Sequence, residues 1–132
     1  MEKTLMIIKP DAVRAKHIGD IVARVEAEGF GITGLRFLQL SRAQAEAFYA
    51  VHKEKPFFAG LVAYMTSGPV VVGRLERANA VEHWRKVIGA TNPEKAEPGT
   101  IRKLYGTNIE NNAVHGSDSP ENGEIETNFF FA

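Results

Sequence analysis

The apolar positions along the chain form short blocks that alternate between continuous runs and a helical period. Thr4 to Ile8 is a continuous apolar run and predicts a buried first strand. Lys9-Pro10-Asp11 ends it, because Pro10 cannot continue a central ladder and Asp11 is a good helix N-cap. Val13, Ile18, Ile21, Val22 and Val25 follow helical spacing, which predicts one amphipathic helix over roughly 12–28, closed by Gly29 as its C′ residue. Ile32 to Leu40 reads as a second strand with imperfect alternation. Ser41 and Gln44 make a capping-box pattern that opens a helix to about Lys53. Pro56 opens another short helix carrying Phe57, Phe58, Leu61, Val62 and Met65. After the Gly68-Pro69 turn, Val70 to Leu75 is a third buried strand, and Val81, Trp84, Val87 and Ile88 mark a helix over about 79–88, stopped by Gly89. From Ala90 to about Asn112 no period is visible, so this stretch reads as a long loop without structure of its own. A short strand at Ala113-Val114, a turn at His115 and a last helix capped by Ser119 with Pro120 in first place complete the chain. Phe129, Phe130 and Phe131 follow and need cover, from the domain or from a neighbouring subunit.

Setting aside the helix pair and the long loop leaves the order βαββαβ. That is the ferredoxin-like split βαβ of the α+β class, with a four-stranded antiparallel sheet and helices on one face. Residues 1–132 have the length of one domain.

Composition narrows the function classes. Lys plus Arg and Asp plus Glu are both 16, so the formal net charge is zero, which argues against a surface built for non-specific nucleic-acid binding. There is no cysteine, which excludes disulfides and thiolate metal sites. The apolar patch near Met1 is short and lacks a small-residue cleavage site, and no apolar run approaches membrane-spanning length, so the expected compartment is the cytoplasm.

The candidate chemistry gathers around Asn112-Ala113-Val114-His115-Gly116-Ser117-Asp118-Ser119. A histidine at a strand end, followed by Gly, is placed where another group can approach the backbone. Lys9, Arg85 and Arg102 lie in separate elements and can bind phosphate, Arg through a planar fork and Lys as a point charge. Thr91 adds a hydroxyl, Asn112 an amide and Phe57 an aromatic face able to stack on a base. A neutral imidazole is a competent nucleophile toward phosphorus. Two familiar phosphate motifs do not apply. Gly29-Phe30-Gly31-Ile32-Thr33-Gly34 spells G-x-G-x-x-G, but a helix precedes it and a strand follows, the reverse of the dinucleotide fingerprint. No G-x-x-x-x-G-K-[ST] loop and no protein-kinase signature are present.

The chain resembles the nucleoside diphosphate kinases from end to end. It carries N-x-x-H-G-S-D at Asn112 to Asp118, I-K-P-D at Ile8 to Asp11, Y-x-x-H at Tyr49 to His52 and P-F-F at Pro56 to Phe58. S-G-P at Ser67 to Pro69, G-A-T-N-P at Gly89 to Pro93 and G-T-I-R at Gly99 to Arg102 also match. The resemblance implies ping-pong transfer of the γ-phosphate of a nucleoside triphosphate, typically ATP, to a diphosphate such as GDP, with broad base tolerance, maintaining nucleotide pools. His115 would form the phosphohistidine. Phe57 would stack on the base with Leu61 and Ile109 beside it. Lys9 and Asn112 would hold the ribose, with Lys9 also near the γ-phosphate. His52, Arg85, Thr91 and Arg102 would bind phosphates, with Mg²⁺ held mainly by the substrate. Tyr49 would lie close to the nucleophile, and Glu126 would bond its ring with support from Ser117.

Leu104 departs from the family pattern, which commonly has an acidic residue there, and the chain ends soon after the last helix, where many members carry a tail. Such tails often contact neighbouring subunits, so a homo-oligomer is expected, a hexamer, tetramer or dimer. An inactive nucleotide-binding scaffold is opposed by the intact His115, Lys9, Arg85, Arg102 and Asn112. A hydrolase built on Ser117, His115 and Asp118 is opposed by their closeness in sequence and by the lack of a G-x-S-x-G elbow.

Overall fold

Strand β1 (Glu2–Ile8) is covered on both sides, and its sequence shows why: Leu5, Met6, Ile7 and Ile8 are all fully buried. Alternate residues of a strand point to opposite faces. Met6 and Ile8 join one core with Ile21, Val25, Leu75 and Trp84. Leu5 and Ile7 join a second core with Leu40, Met65, Val72 and Phe130. The structure, a computed structural model describing residues 1–131, therefore has helices on both faces of its sheet, not on the single face expected. Continuous apolar strands are the signature of such double cover.

The other strands are β2 (Gly31–Leu38), β3 (Val70–Arg77) and β4 (Val114–His115). All neighbours are antiparallel and the order is β2-β3-β1-β4, the ferredoxin-like arrangement. A register shift between Ile32 and Gly34 accounts for the imperfect alternation of β2.

The helix expected over 12–28 is two helices, α1 (Pro10–Arg14) and α2 (Ile18–Ala27). Lys16 breaks it with φ 67°, while His17 N–H reaches Ala12 O at 3.0 Å and Lys16 N–H reaches Val13 O at 3.0 Å. That is a Schellman ending with Lys in the place usually held by Gly. Asp11 is not the cap of α1; Lys9 holds that position. Gly29, at φ 84°, ends α2 as expected.

Helix α3 (Arg42–Phe48) opens with the full capping box: Gln44 N–H donates to Ser41 Oγ at 3.1 Å and Ser41 N–H to Gln44 Oε1 at 2.9 Å. It ends before Lys53, and a 3-10 turn at Ala50–His52 carries the chain on to α4 (Phe58–Met65). Helix α5 (Ala80–Ile88) stops at Gly89, φ 87°. The stretch from Ala90 to Asn112 is not structureless. It holds a 3-10 turn at Pro93–Lys95 and helix α6 (Ile101–Tyr105), capped by the Thr100 hydroxyl. Helix α7 (Pro120–Phe131) starts where Asn122 N–H donates to Ser119 Oγ at 3.1 Å. Of the terminal aromatics, Phe130 is buried, Phe131 packs over Gly34 beneath the Arg74 guanidinium, and Phe129 remains 42% exposed.

Candidate active site

Strand β4 is only two residues long, yet it is fastened on every side. It pairs with β1 through Ile7–His115 and Ile8–Val114. Trp84 Nε1 donates to His115 O at 3.2 Å, and Arg102 donates to Val114 O at 2.9 Å. Ser117 N–H reaches Thr4 Oγ1 at 3.3 Å, and Leu5 N–H donates to Ser117 Oγ at 3.0 Å. A Cβ on Gly116 would strike the Trp84 ring, so this glycine makes room for the indole.

These ties fix the imidazole. His115 Nε2 lies 2.9 Å from Glu126 Oε1, and Ser117 Oγ donates to the same oxygen at 2.7 Å. An ionised carboxylate only accepts, so Nε2 carries the proton and Nδ1 keeps its lone pair. The ring opens into a cavity of about 300 Å³ shared with Tyr49, His52, Gly116 and Asp118. The Tyr49 hydroxyl is buried with no hydrogen-bond partner among the described residues. Burial, then the nearby Glu126, pushes its ionisation far above the usual tyrosine range, so it stays a neutral donor.

A second cavity, of about 390 Å³, is a largely apolar slot between Phe57, Leu61 and Ile109, with Lys9, Thr91 and Glu110 at its edge. Phe57 is 53% and Ile109 60% exposed, and both line this one slot, so their apolar faces are available to a ligand there. Lys9 Nζ donates to Asn112 Oδ1 at 2.8 Å, and Asn112 Nδ2 donates to Thr91 O at 3.0 Å. Burial, then the Arg102 charge, lowers the Lys9 pKa to about 8.

Thr91 also lines the third and widest space, a cleft of about 810 Å³ walled by Arg85, Lys86, Lys95 and Arg102, with Glu97 the single carboxylate in its lining. Arg102 is anchored by donating to Gly89 O at 3.0 Å and to Val114 O, and burial, then Arg85, lowers its pKa to about 10. Asp118 is held below the usual carboxylate range by hydrogen bonds, chiefly from Asn122, and by Arg85. Gly116 borders both this cleft and the histidine cavity, so the cations and the imidazole line adjacent spaces.

Every residue singled out in the sequence thus reaches one of three adjoining spaces or a partner of one. His52 packs its ring against Phe57, centroids 5.4 Å apart. Four contributors were not foreseen as part of the site: Trp84, read only as core; Asp11, read as a cap; and Lys86 and Lys95, which sit on an amphipathic flank and a loop with nothing local to single them out.

The sequence model of nucleoside diphosphate kinase matches residues 2–132. A nucleoside diphosphate kinase of Chlamydia abortus is 58% identical over 132 residues, spanning 100% of this chain and 94% of the relative. Among solved structures, the Aquifex aeolicus nucleoside diphosphate kinase superposes with a TM-score of 0.97 at 43% identity, over 99% of this chain and 95% of that one. A halophilic nucleoside diphosphate kinase from Halobacterium salinarum, solved in complex with CDP, gives a TM-score of 0.94 at 42% identity, over 98% of this chain and 87% of that one. By sequence and by fold, over essentially its whole described length, the chain belongs to the nucleoside diphosphate kinase family.

Proposed function

We propose that this phosphotransferase works in two half-reactions through His115. The observation that carries the reading is the Glu126 clamp on Nε2 beside a cationic cleft. In the first half-reaction Nδ1 attacks the γ-phosphorus of a nucleoside triphosphate. The N–P bond forms as the bond from γ-phosphorus to the bridging oxygen breaks, and the electron pair leaves on the diphosphate. The ring gains positive charge, and the Glu126 carboxylate, accepting from Nε2–H, offsets it. In the second half-reaction a different nucleoside diphosphate attacks the same phosphorus, and the histidine is regenerated.

Positioning and charge dominate this chemistry. Phe57, Leu61 and Ile109 hold the base by its faces, which tolerates purines and pyrimidines alike. Lys9 and Asn112 hold the ribose, a group common to all nucleotides. His52, Arg85, Thr91 and Arg102 take the phosphates, and Tyr49 supplies a hydroxyl donor beside the nucleophile. The CDP complex of the Halobacterium salinarum relative supports nucleotide binding by this chain. The described lining of the cleft offers cations and hydroxyls with one carboxylate, so Mg²⁺ would be carried on the substrate's phosphates, where it would supply charge neutralisation.

The unit that acts is residues 1–132 as one domain, since both cores share one sheet. It works as a homo-oligomer: β2 is an edge strand with Leu35 48% and Phe37 65% exposed, a surface suited to a second copy. Its site of action is the cytoplasm, where nucleoside phosphates are interconverted.

Initial-rate kinetics test the two-step scheme. Varying ATP at several fixed dTDP concentrations should give parallel double-reciprocal lines. Intersecting lines would mean direct transfer in a ternary complex and would overturn the scheme.

A further inference from the structure

Ala113 has φ 75° although it is fully buried and is not glycine. That region is disfavoured for an L-residue with a Cβ. Val114 N–H donates to Asn112 O at 2.9 Å, a two-residue spacing. The backbone therefore makes a γ-turn with positive φ at its centre, the strained form of that turn. Its place matters. Asn112 lies on one side and His115 two residues beyond, so the turn sets how the ribose contact and the nucleophile face each other.

Strain of this kind persists only where the surroundings enforce it. Two groups hold Ala113. Lys9 N–H donates to its carbonyl at 2.8 Å, and its own N–H donates to Asp11 Oδ2 at 3.1 Å. The other Asp11 oxygen accepts the Tyr64 hydroxyl. Tyr64 is buried on α4, the helix that follows Phe57 and carries Leu61. Asp11 caps no helix, and it lines none of the three spaces of the site.

We propose that Asp11 is a positioning residue for phosphoryl transfer: it clamps the strained turn at Ala113 and, through Tyr64, couples the base-slot helix to the strand that aims His115. The inference rests on the roles given above to His115 and Asn112. It adds a residue that never touches the nucleotide yet sets the reacting geometry.

The test uses the full chain and single-turnover formation of phosphoenzyme from ATP, with ADP affinity and thermal melting measured on the same samples. Asp11→Ala should slow phosphoenzyme formation by about tenfold or more, because a small misplacement of a nucleophile is costly, while ADP affinity changes much less. Adding Ala113→Gly should restore most of the rate, since glycine adopts positive φ without a clamp. Tyr64→Phe should slow the step less, and Asp11→Ala with Tyr64→Phe should be no slower than Asp11→Ala alone, as for residues acting through one contact. Should Asp11→Ala not fold, Asp11→Ser with and without Ala113→Gly gives the same comparison, because its single, shorter hydroxyl cannot replace both carboxylate oxygens.

A lower melting temperature with an unchanged rate would make Asp11 purely structural and overturn the proposal. So would a rate that glycine fails to rescue, or additive losses in the double variant. Absence of phosphoenzyme in the unaltered protein is a separate result: it would overturn the reading of His115, and this inference with it.

Discussion

At the scale of single residues, hydrogen bonds to one ring nitrogen decide which face of the imidazole is free. Nε2 of His115 is held by Glu126, which leaves Nδ1 for the proposed attack, and Glu126 is held in turn by Ser117, whose hydroxyl accepts from the β1 backbone. Lys9 shows how the same burial tunes charge. Its pKa of about 8 means that the ammonium is present below that pH and is lost above it. kcat/KM reports the free enzyme. It should therefore fall as pH rises through about 8. Lys9→Gln should be weaker throughout and lose that limb. Bound phosphate favours the charged form, so the corresponding limb in kcat should lie at higher pH. A kcat/KM profile flat from neutrality to pH 10 would contradict this role for Lys9. The motif histidine and its cations could be singled out in the sequence through the resemblance to the nucleoside diphosphate kinases; taken alone, a His before Gly, a Lys at a strand end and an Arg beside a core Trp each have a plain structural use as well. Asp11 was not legible, because a carboxylate just after a strand-ending proline looks locally like a cap, and its partners Ala113 and Tyr64 lie 102 and 53 positions away.

At the scale of elements, α7 delivers Glu126 by lying directly on β1. Gly123 makes this possible, since a Cβ there would collide with the Lys3 carbonyl. Gly123→Ala should push the helix outward. We expect a loss of about 1–3 kcal/mol in stability, typical of overpacking against a rigid neighbour, together with a fall in kcat as Glu126 withdraws. Chemical denaturation and steady-state assays check both; an unchanged kcat would show that Glu126 is held by α7's other contacts. Elements with strong local signals were readable: the Ser41 capping box, the Pro120 start and the Gly89 stop all stand where the sequence put them. Others had none. The break at Lys16 uses a left-handed residue without glycine, so nothing local announces it. Helix α6 has 5 residues, too few to display a period, although the Thr100 cap was there to be read. The cover on both faces of the sheet was written in the unbroken apolar run of β1, which an antiparallel sheet with one solvated face would not carry.

At the scale of the molecule, the fold brings distant stretches to one place. Lys9 follows β1, Phe57 precedes α4, Arg85 lies on α5, Arg102 on α6 and His115 on β4, and the sheet order gathers them at one end. The far sheet edge, β2, is the surface proposed above for a second copy. Phe37→Lys should place a charge on that edge and shift the protein toward monomer in sedimentation at micromolar concentration, leaving the melting profile of the monomer cooperative. An unaltered oligomer would move the contact to another surface. The central claim, that the chain carries the phosphoryl group on His115, is tested most directly by intact mass after brief exposure to ATP and Mg²⁺, followed by GDP. One added phosphoryl group that GDP removes as GTP, and that His115→Ala never acquires, is the expected result. A protein that makes GTP from ATP without ever gaining that mass, or that gains it in His115→Ala, would contradict the account.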